Sequence, residues 1–130
     1  MENEKIIDPS LMPAANLAYL GDSVYEIYVR EYLVKKKVRQ PSVESLKYVK
    51  ASVQSEVIEK ILPLLTEEEE AEYKRGRNIG HSSTPKSSTA LEYRRATGLE
   101  ALFGWLYLEG RHERIRELFD AAFKDNNTEE

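Results

Sequence analysis

Apolar residues recur at every third or fourth position along nearly the whole chain, a period that allows helices and little else. Leu17, Leu20, Val24, Ile27, Tyr28 and Glu31 share one helical face, apolar until its last member, and predict a helix over about 13–36. Gln40-Pro41-Ser42 breaks the chain, and Ser42 is a fitting N-cap for a second helix. Its apolar stripe is Val43, Leu46, Val49, Val53, Val57 and Ile61, and Pro63 ends or kinks it. Thr66 with Glu69 three residues on forms a capping box, and four acids in that first turn suit the helix dipole. This third helix is expected to end near 74–76. The Gly, Ser and Pro content of 76–88 forbids regular structure there. Thr89 and Glu92 make a second capping box, opening a helix through 109 that Gly110 stops. A last amphipathic helix over 112–123 turns Ile115, Leu118, Phe119 and Ala122 inward, and 126–130 should fray. Strand alternation, repeats and linkers are missing from the pattern. The expectation is an all-α fold, one domain over 1–130 with its core at about 11–122.

With 130 residues, 41% of them hydrophobic, the chain can bury one core. It has no cysteine, which excludes disulfides, a thiolate nucleophile and a Cys-based zinc site. No apolar run approaches the roughly 20 residues a bilayer requires, and the first residues do not resemble a signal peptide. A cytoplasmic protein without a membrane partner is the expectation.

A formal net charge of −4 argues at face value against nucleic acid. The charges nevertheless come in blocks. Residues 27–60 carry net +4 and 74–95 carry net +5, set among acidic stretches at 1–26, 61–73 and 96–130. Either basic block alone reads as a solvated helix face. Together they flank two acids in apolar surroundings.

Those two acids are Asp22 and Glu100. Asp22 lies inside the first helix on a face with Ala15, Ala18, Val29 and Leu33, and Glu26 follows one turn later. Asp is a poor mid-helix residue, and Gly21 beside it adds roughly 1 kcal/mol of helix penalty relative to Ala. Having no side chain, Gly21 lets another backbone or a ligand come close. Glu100 shares a face with Tyr93, Ala96, Thr97, Gly104 and Tyr107, whose small members allow close packing on a second helix. If that helix carries Asp22, two carboxylates converge, and hard oxygen ligands of that kind suit Mg²⁺. The competing reading is a structural salt bridge from Asp22 or Glu100 to Arg94, Arg95 or another base. His81 and His112 lack partners at metal-ligand spacing; a phosphate or solvent contact suits the first and an exposed position the second. Neither a nucleophile elbow nor a Gly-rich phosphate loop is present.

Leu17-Ala18-Tyr19-Leu20-Gly21-Asp22-Ser23-Val24 resembles the signature helix of ribonuclease III catalytic domains. Leu99-Glu100-Ala101-Leu102-Phe103-Gly104, followed by Tyr107-Leu108-Glu109-Gly110, resembles the second acidic motif of the same family. The resemblance spans about 11–122. It departs from the family at Ala18 and Thr97, where the usual pattern carries two further acids. Those losses, with Lys74-Arg75-Gly76-Arg77-Asn78 and the Thr84-Pro85-Lys86 loop, resemble the Mini-III branch, which lacks the double-stranded-RNA-binding domain.

The resemblance implies a Mg²⁺-dependent endoribonuclease that hydrolyses double-stranded RNA, with Asp22 and Glu100 as catalytic and metal-holding residues. It further implies 5′-phosphate and 3′-hydroxyl products, maturation of large-subunit (23S) ribosomal RNA precursors, and a homodimer. A ribosomal protein is a further candidate partner. A second metal would call on the scissile phosphate, waters or Glu26, and for Glu26 pairing with Arg30 is the alternative. Duplex RNA is recognised mostly through phosphates and 2′-hydroxyls. Lys74, Arg75, Arg77, Lys86, Arg94 and Arg95 supply the charge for that, and Asn78, His81, Ser82, Ser83 and Thr84 the hydrogen bonds. The missing acids keep a rival open: a non-cleaving RNA-binding or ribosome-assembly module on a decayed nuclease fold. A helical protein-interaction domain is a third reading, but it leaves Asp22 and Glu100 unexplained.

Overall fold

The computed structural model describes residues 7–80 and 89–124, and no strand occurs among them. Six α-helices follow in order: α1 Ala14–Lys35, α2 Pro41–Glu44, α3 Ala51–Ile61, α4 Glu67–Arg77, α5 Ala90–Leu108 and α6 His112–Phe123. Short 3₁₀ turns lie at Pro9–Leu11, Ser45–Lys47 and Leu62–Leu64. The all-α expectation holds.

Helix α5 is the centre of the molecule. It packs on α1 most extensively, then on α4, α3 and α6. Every residue from 96 to 106 is buried except Glu100. A helix apolar on all sides must be enclosed on all sides, and the other helices supply that enclosure. Tyr25, Val29 and Leu33 of α1, Val57, Ile58 and Ile61 of α3, and Ile115, Leu118 and Phe119 of α6 close around Leu99, Leu102, Phe103 and Leu106. Both capping boxes form as expected. The Thr66 hydroxyl accepts from the Glu69 amide at 3.1 Å, and the Thr89 hydroxyl accepts from the Glu92 amide at 3.0 Å. Gly110 (φ 79°) ends α5 in the left-handed conformation that glycine adopts without strain.

The sequence misplaces two features. The single helix expected from Ser42 to Ile61 is broken. Pro41 occupies the first helical turn, so Gln40 rather than Ser42 stands at the N-cap. After one turn the Ser45 hydroxyl donates to the Ser42 carbonyl, and the chain tightens into a 3₁₀ turn. The bend delivers the Tyr48 carbonyl to the buried Tyr25 hydroxyl, which donates to it at 2.7 Å. Val43 and Leu46 therefore leave the expected stripe and lie exposed. In α1, Ile27 is exposed, and Tyr25 and Val29 take the core positions instead.

The four acids opening α4 are not equivalent. Glu69 is 1% exposed and accepts two 2.8 Å hydrogen bonds from Arg114 of α6, besides closing its capping box. Arg114 also donates to the Leu64 carbonyl. This pair fastens α4 to α6 and holds the Glu69 carboxyl below its ordinary range, against the opposing effect of burial.

Candidate active site

Two glycines set the site. A Cβ on Gly21 would land on the Glu100 carbonyl, and one on Gly104 would land on the Leu17 carbonyl. The backbones of α1 and α5 therefore touch at Glu100 itself, one residue from Asp22, and again one turn further along α5. That contact is what brings Asp22 of α1 beside Glu100 of α5, as the small residues of α5 predict.

The two carboxyls sit in different surroundings. Asp22 is exposed, contrary to its expected place in apolar packing, so the energetic cost of a buried charge falls on Glu100 alone. Glu100 is half-buried in the wall formed by α5. Burial and then the negative charge of Asp22 push its carboxyl up to about 8. A hydrogen bond with the Gln54 side chain opposes the rise, and one shared with Asp22 adds to it. Tyr25, close beneath, has its phenol raised by its own burial first and by Glu100 second.

No described base forms an ion pair with either acid. Arg95, one candidate for such a bridge, is committed to Glu59 at 2.7 Å. Glu26 pairs with Arg30 at 2.9 Å across one helical turn, which is the local alternative foreseen for it. At the positions where two further family acids are missing, Ala18 is buried and Thr97 donates its hydroxyl to the Tyr93 carbonyl at 3.0 Å. Neither extends the acid pair. Among the described residues, no group of three or more acids or histidines gathers as a metal-holding cluster.

Sequence reasoning missed Gln54. It is 2% exposed on α3, and its amide oxygen has no hydrogen-bond partner among the described residues. Its signal was legible: it stands at i to Val57, Ile58 and Ile61, inside an apolar stripe.

The residues proposed for RNA differ in their surroundings. Arg75 turns inward, donating to Glu72 at 2.8 Å and to the Met12 carbonyl at 2.8 Å. Lys74 pairs with Glu70 at 3.3 Å, while Arg77 stacks over Tyr73 and donates to the Asn78 side chain. Arg94 and Asn78 are exposed. His81, Ser82, Ser83, Thr84 and Lys86 lie outside the described residues, as does the 126–130 tail. The last turn of α4 nonetheless abuts the site. A Cβ on Gly76 would come within 3.0 Å of the Gly98 Cα and 3.1 Å of the Thr97 carbonyl, in the turn of α5 that precedes Glu100.

Residues 15–111 match the ribonuclease III domain. The chain belongs to the ribonuclease III family. Within it, the chain is similar over most of its length to proteins named Mini-ribonuclease 3, and it is an endoribonuclease. The Mini-ribonuclease 3 of Symbiobacterium thermophilum is 40% identical over 121 residues, covering 91% of this chain and 93% of that protein. That of Brevibacillus brevis is 40% identical over 127 residues, covering 95% of each. A crystal structure of a Fusobacterium nucleatum protein superposes with a TM-score of 0.81 at 30% identity, covering 91% of this chain and 94% of that one. The ribonuclease III fold thus accounts for the helical order, and the two family motifs carry the two acids that meet.

Proposed function

We propose that the chain hydrolyses phosphodiester bonds in double-stranded RNA at a Mg²⁺ centre held by Asp22 and Glu100. The observation that carries this reading is the convergence of the two carboxyls where the α1 and α5 backbones meet at Gly21 and Gly104. Glu100 is driven up to about 8 by burial and by Asp22, so positive charge between the pair would be stabilising. The donor set fits a hard divalent cation: both groups are carboxylate oxygens, and the exposure of Asp22 leaves room for water and a phosphate. Bound there, such a cation supplies Lewis-acid stabilisation of phosphate charge and a more acidic attacking water. Asp22, on the solvent side, faces the substrate. Glu100 is held from behind, so its oxygens keep one orientation. With two protein carboxylates in reach, the remaining ligands come from water and the RNA.

The basic last turn of α4 and the exposed Arg94 supply positive field on the α4–α5 side of the site. Lys74, Arg77, Arg94, Asn78 and the loop residues His81, Ser82, Thr84 and Lys86 are the proposed RNA contacts. Arg75 and Arg95 contribute charge while their guanidinium groups hold Glu72 and Glu59. A homodimer, with one centre for each strand, is supported by the apolar line Tyr19, Ile27 and Val34 along exposed α1. The ends of large-subunit (23S) ribosomal RNA precursors are the proposed substrate, with 5′-phosphate and 3′-hydroxyl products, in the cytoplasm. A ribosomal protein that presents this RNA is a proposed partner.

Purified protein given a long RNA duplex, or either strand alone, tests this reading. Cleavage of the duplex with Mg²⁺, none with EDTA and little of the single strands is expected. Equal cutting in EDTA would refute the metal centre, and equal cutting of single strands would refute the duplex preference.

A further inference from the structure

Gln54 occupies a core position. On α3 it precedes Val57 and Ile58 by one turn and Ile61 by two, and all three are at most 2% exposed. An aliphatic side chain would fill that place without penalty. The glutamine instead leaves a fully buried oxygen without a partner, which typically costs about 1–3 kcal/mol. Such a cost at a site that packing could satisfy calls for a function of the other end of the amide.

That other end meets Glu100, with which the Gln54 side chain hydrogen-bonds. The bond opposes the rise of the Glu100 carboxyl and so favours its ionised form, which only accepts; the amide therefore turns its NH₂ toward Glu100 and its Oε1 away. The orphaned oxygen and the bond to Glu100 are therefore two consequences of one orientation. Carboxylates that ligate metals are commonly held by such outer hydrogen bonds, which fix their direction. Helix α3 supplies this bond, although the two acidic motifs lie on α1 and α5. Asp22, by contrast, stands exposed.

We propose that Gln54 is a positioning residue, which fixes the Glu100 carboxylate in the direction needed to share a divalent cation with Asp22. This rests on the metal-centre reading above and adds a third helix to it. Gln54 itself touches neither cation nor RNA.

The test uses Gln54→Met, which keeps the side-chain length and removes the donor, with Gln54→Leu as a second variant. Mn²⁺ binding without RNA is titrated by the electron paramagnetic resonance of the free ion, and Tm is measured in EDTA. Loss of such an outer partner typically weakens metal affinity about 10–100-fold. A weakening in that range is expected, with Tm equal to or above that of the parent because the orphaned oxygen is gone. The Mg²⁺ midpoint for cleavage should rise while the KM for duplex RNA stays constant. Unchanged Mn²⁺ affinity in either folded variant overturns the proposal, as does a fall in Tm with no change in Mn²⁺ binding. Asp22→Asn and Glu100→Gln are titrated in parallel. If they bind Mn²⁺ as the parent does, the metal centre itself fails and the role of Gln54 fails with it. If they lose binding and Gln54→Met does not, only the inference about Gln54 falls.

Discussion

Glu100 is the one ionisable side chain on the enclosed stretch of α5, and its surroundings govern the site before any cation binds. Asp22, its neighbour, keeps access to solvent, so one chemical group has two environments within a single pair. The consequence for stability follows from linkage. The Glu100 carboxyl titrates at about 8 in the folded protein against an ordinary 4.5, so the folded state retains a proton that the unfolded chain releases. Its contribution to stability is complete below pH 4.5 and is lost as pH rises through about 8. The metal-free protein should therefore lose Tm between pH 5 and pH 8 (measured in EDTA by thermal unfolding), and Glu100→Gln should remove most of that loss. The variant should exceed the parent in Tm at the alkaline end. A Glu100→Gln profile parallel to that of the parent would show that Glu100 is not the group under strain.

The touching of α1 and α5 at Gly21 and Gly104 turns two sequence motifs into one site. Adding a methyl at Gly104 drives it into the Leu17 carbonyl, a backbone atom that cannot swing aside. Overpacking typically costs about 1–3 kcal/mol, and this contact belongs at the upper end or above it. Gly104→Ala should therefore lower the midpoint of urea unfolding and reduce cleavage together, because the same displacement parts Asp22 from Glu100. Cleavage at the parental rate in a folded Gly104→Ala protein would contradict this. Much of this was legible in the residues. The capping boxes at Thr66 and Thr89, the stop at Gly110 and the small residues of α5 all name their elements and their close approach. Two things were not. The bend at 45–50 answers a distant demand, since the Tyr48 carbonyl turns to satisfy the buried Tyr25 hydroxyl. The burial of Glu100 and the exposure of Asp22 likewise depend on which side of each helix its neighbours leave open, and periodicity does not record that. Gln54 lay in plain view within an apolar stripe, but its partner is 46 positions away on another helix.

At the scale of the whole molecule, an acidic chain and an RNA-cleaving function are compatible because the charges are segregated. The acids of α4 lie at its first turn and the bases at its last. That order suits the helix dipole and places positive charge at the end of α4 that abuts the Glu100 turn. Some of that charge also serves the fold, as the inward bonds of Arg75 to Glu72 and Met12 show. The proposed grip and the proposed chemistry thus fall on neighbouring surfaces, and one substitution should divide them. Asp22→Asn keeps the size of the side chain, disturbs no packing because the residue is exposed, and removes the charge beside Glu100. The most direct measurement sets the cleavage rate of duplex RNA by Asp22→Asn in Mg²⁺ beside its affinity for the same duplex. Cleavage should fall to background with Tm and RNA affinity preserved. Cleavage at the parental rate would remove Asp22, and with it the paired-carboxylate centre, from the mechanism.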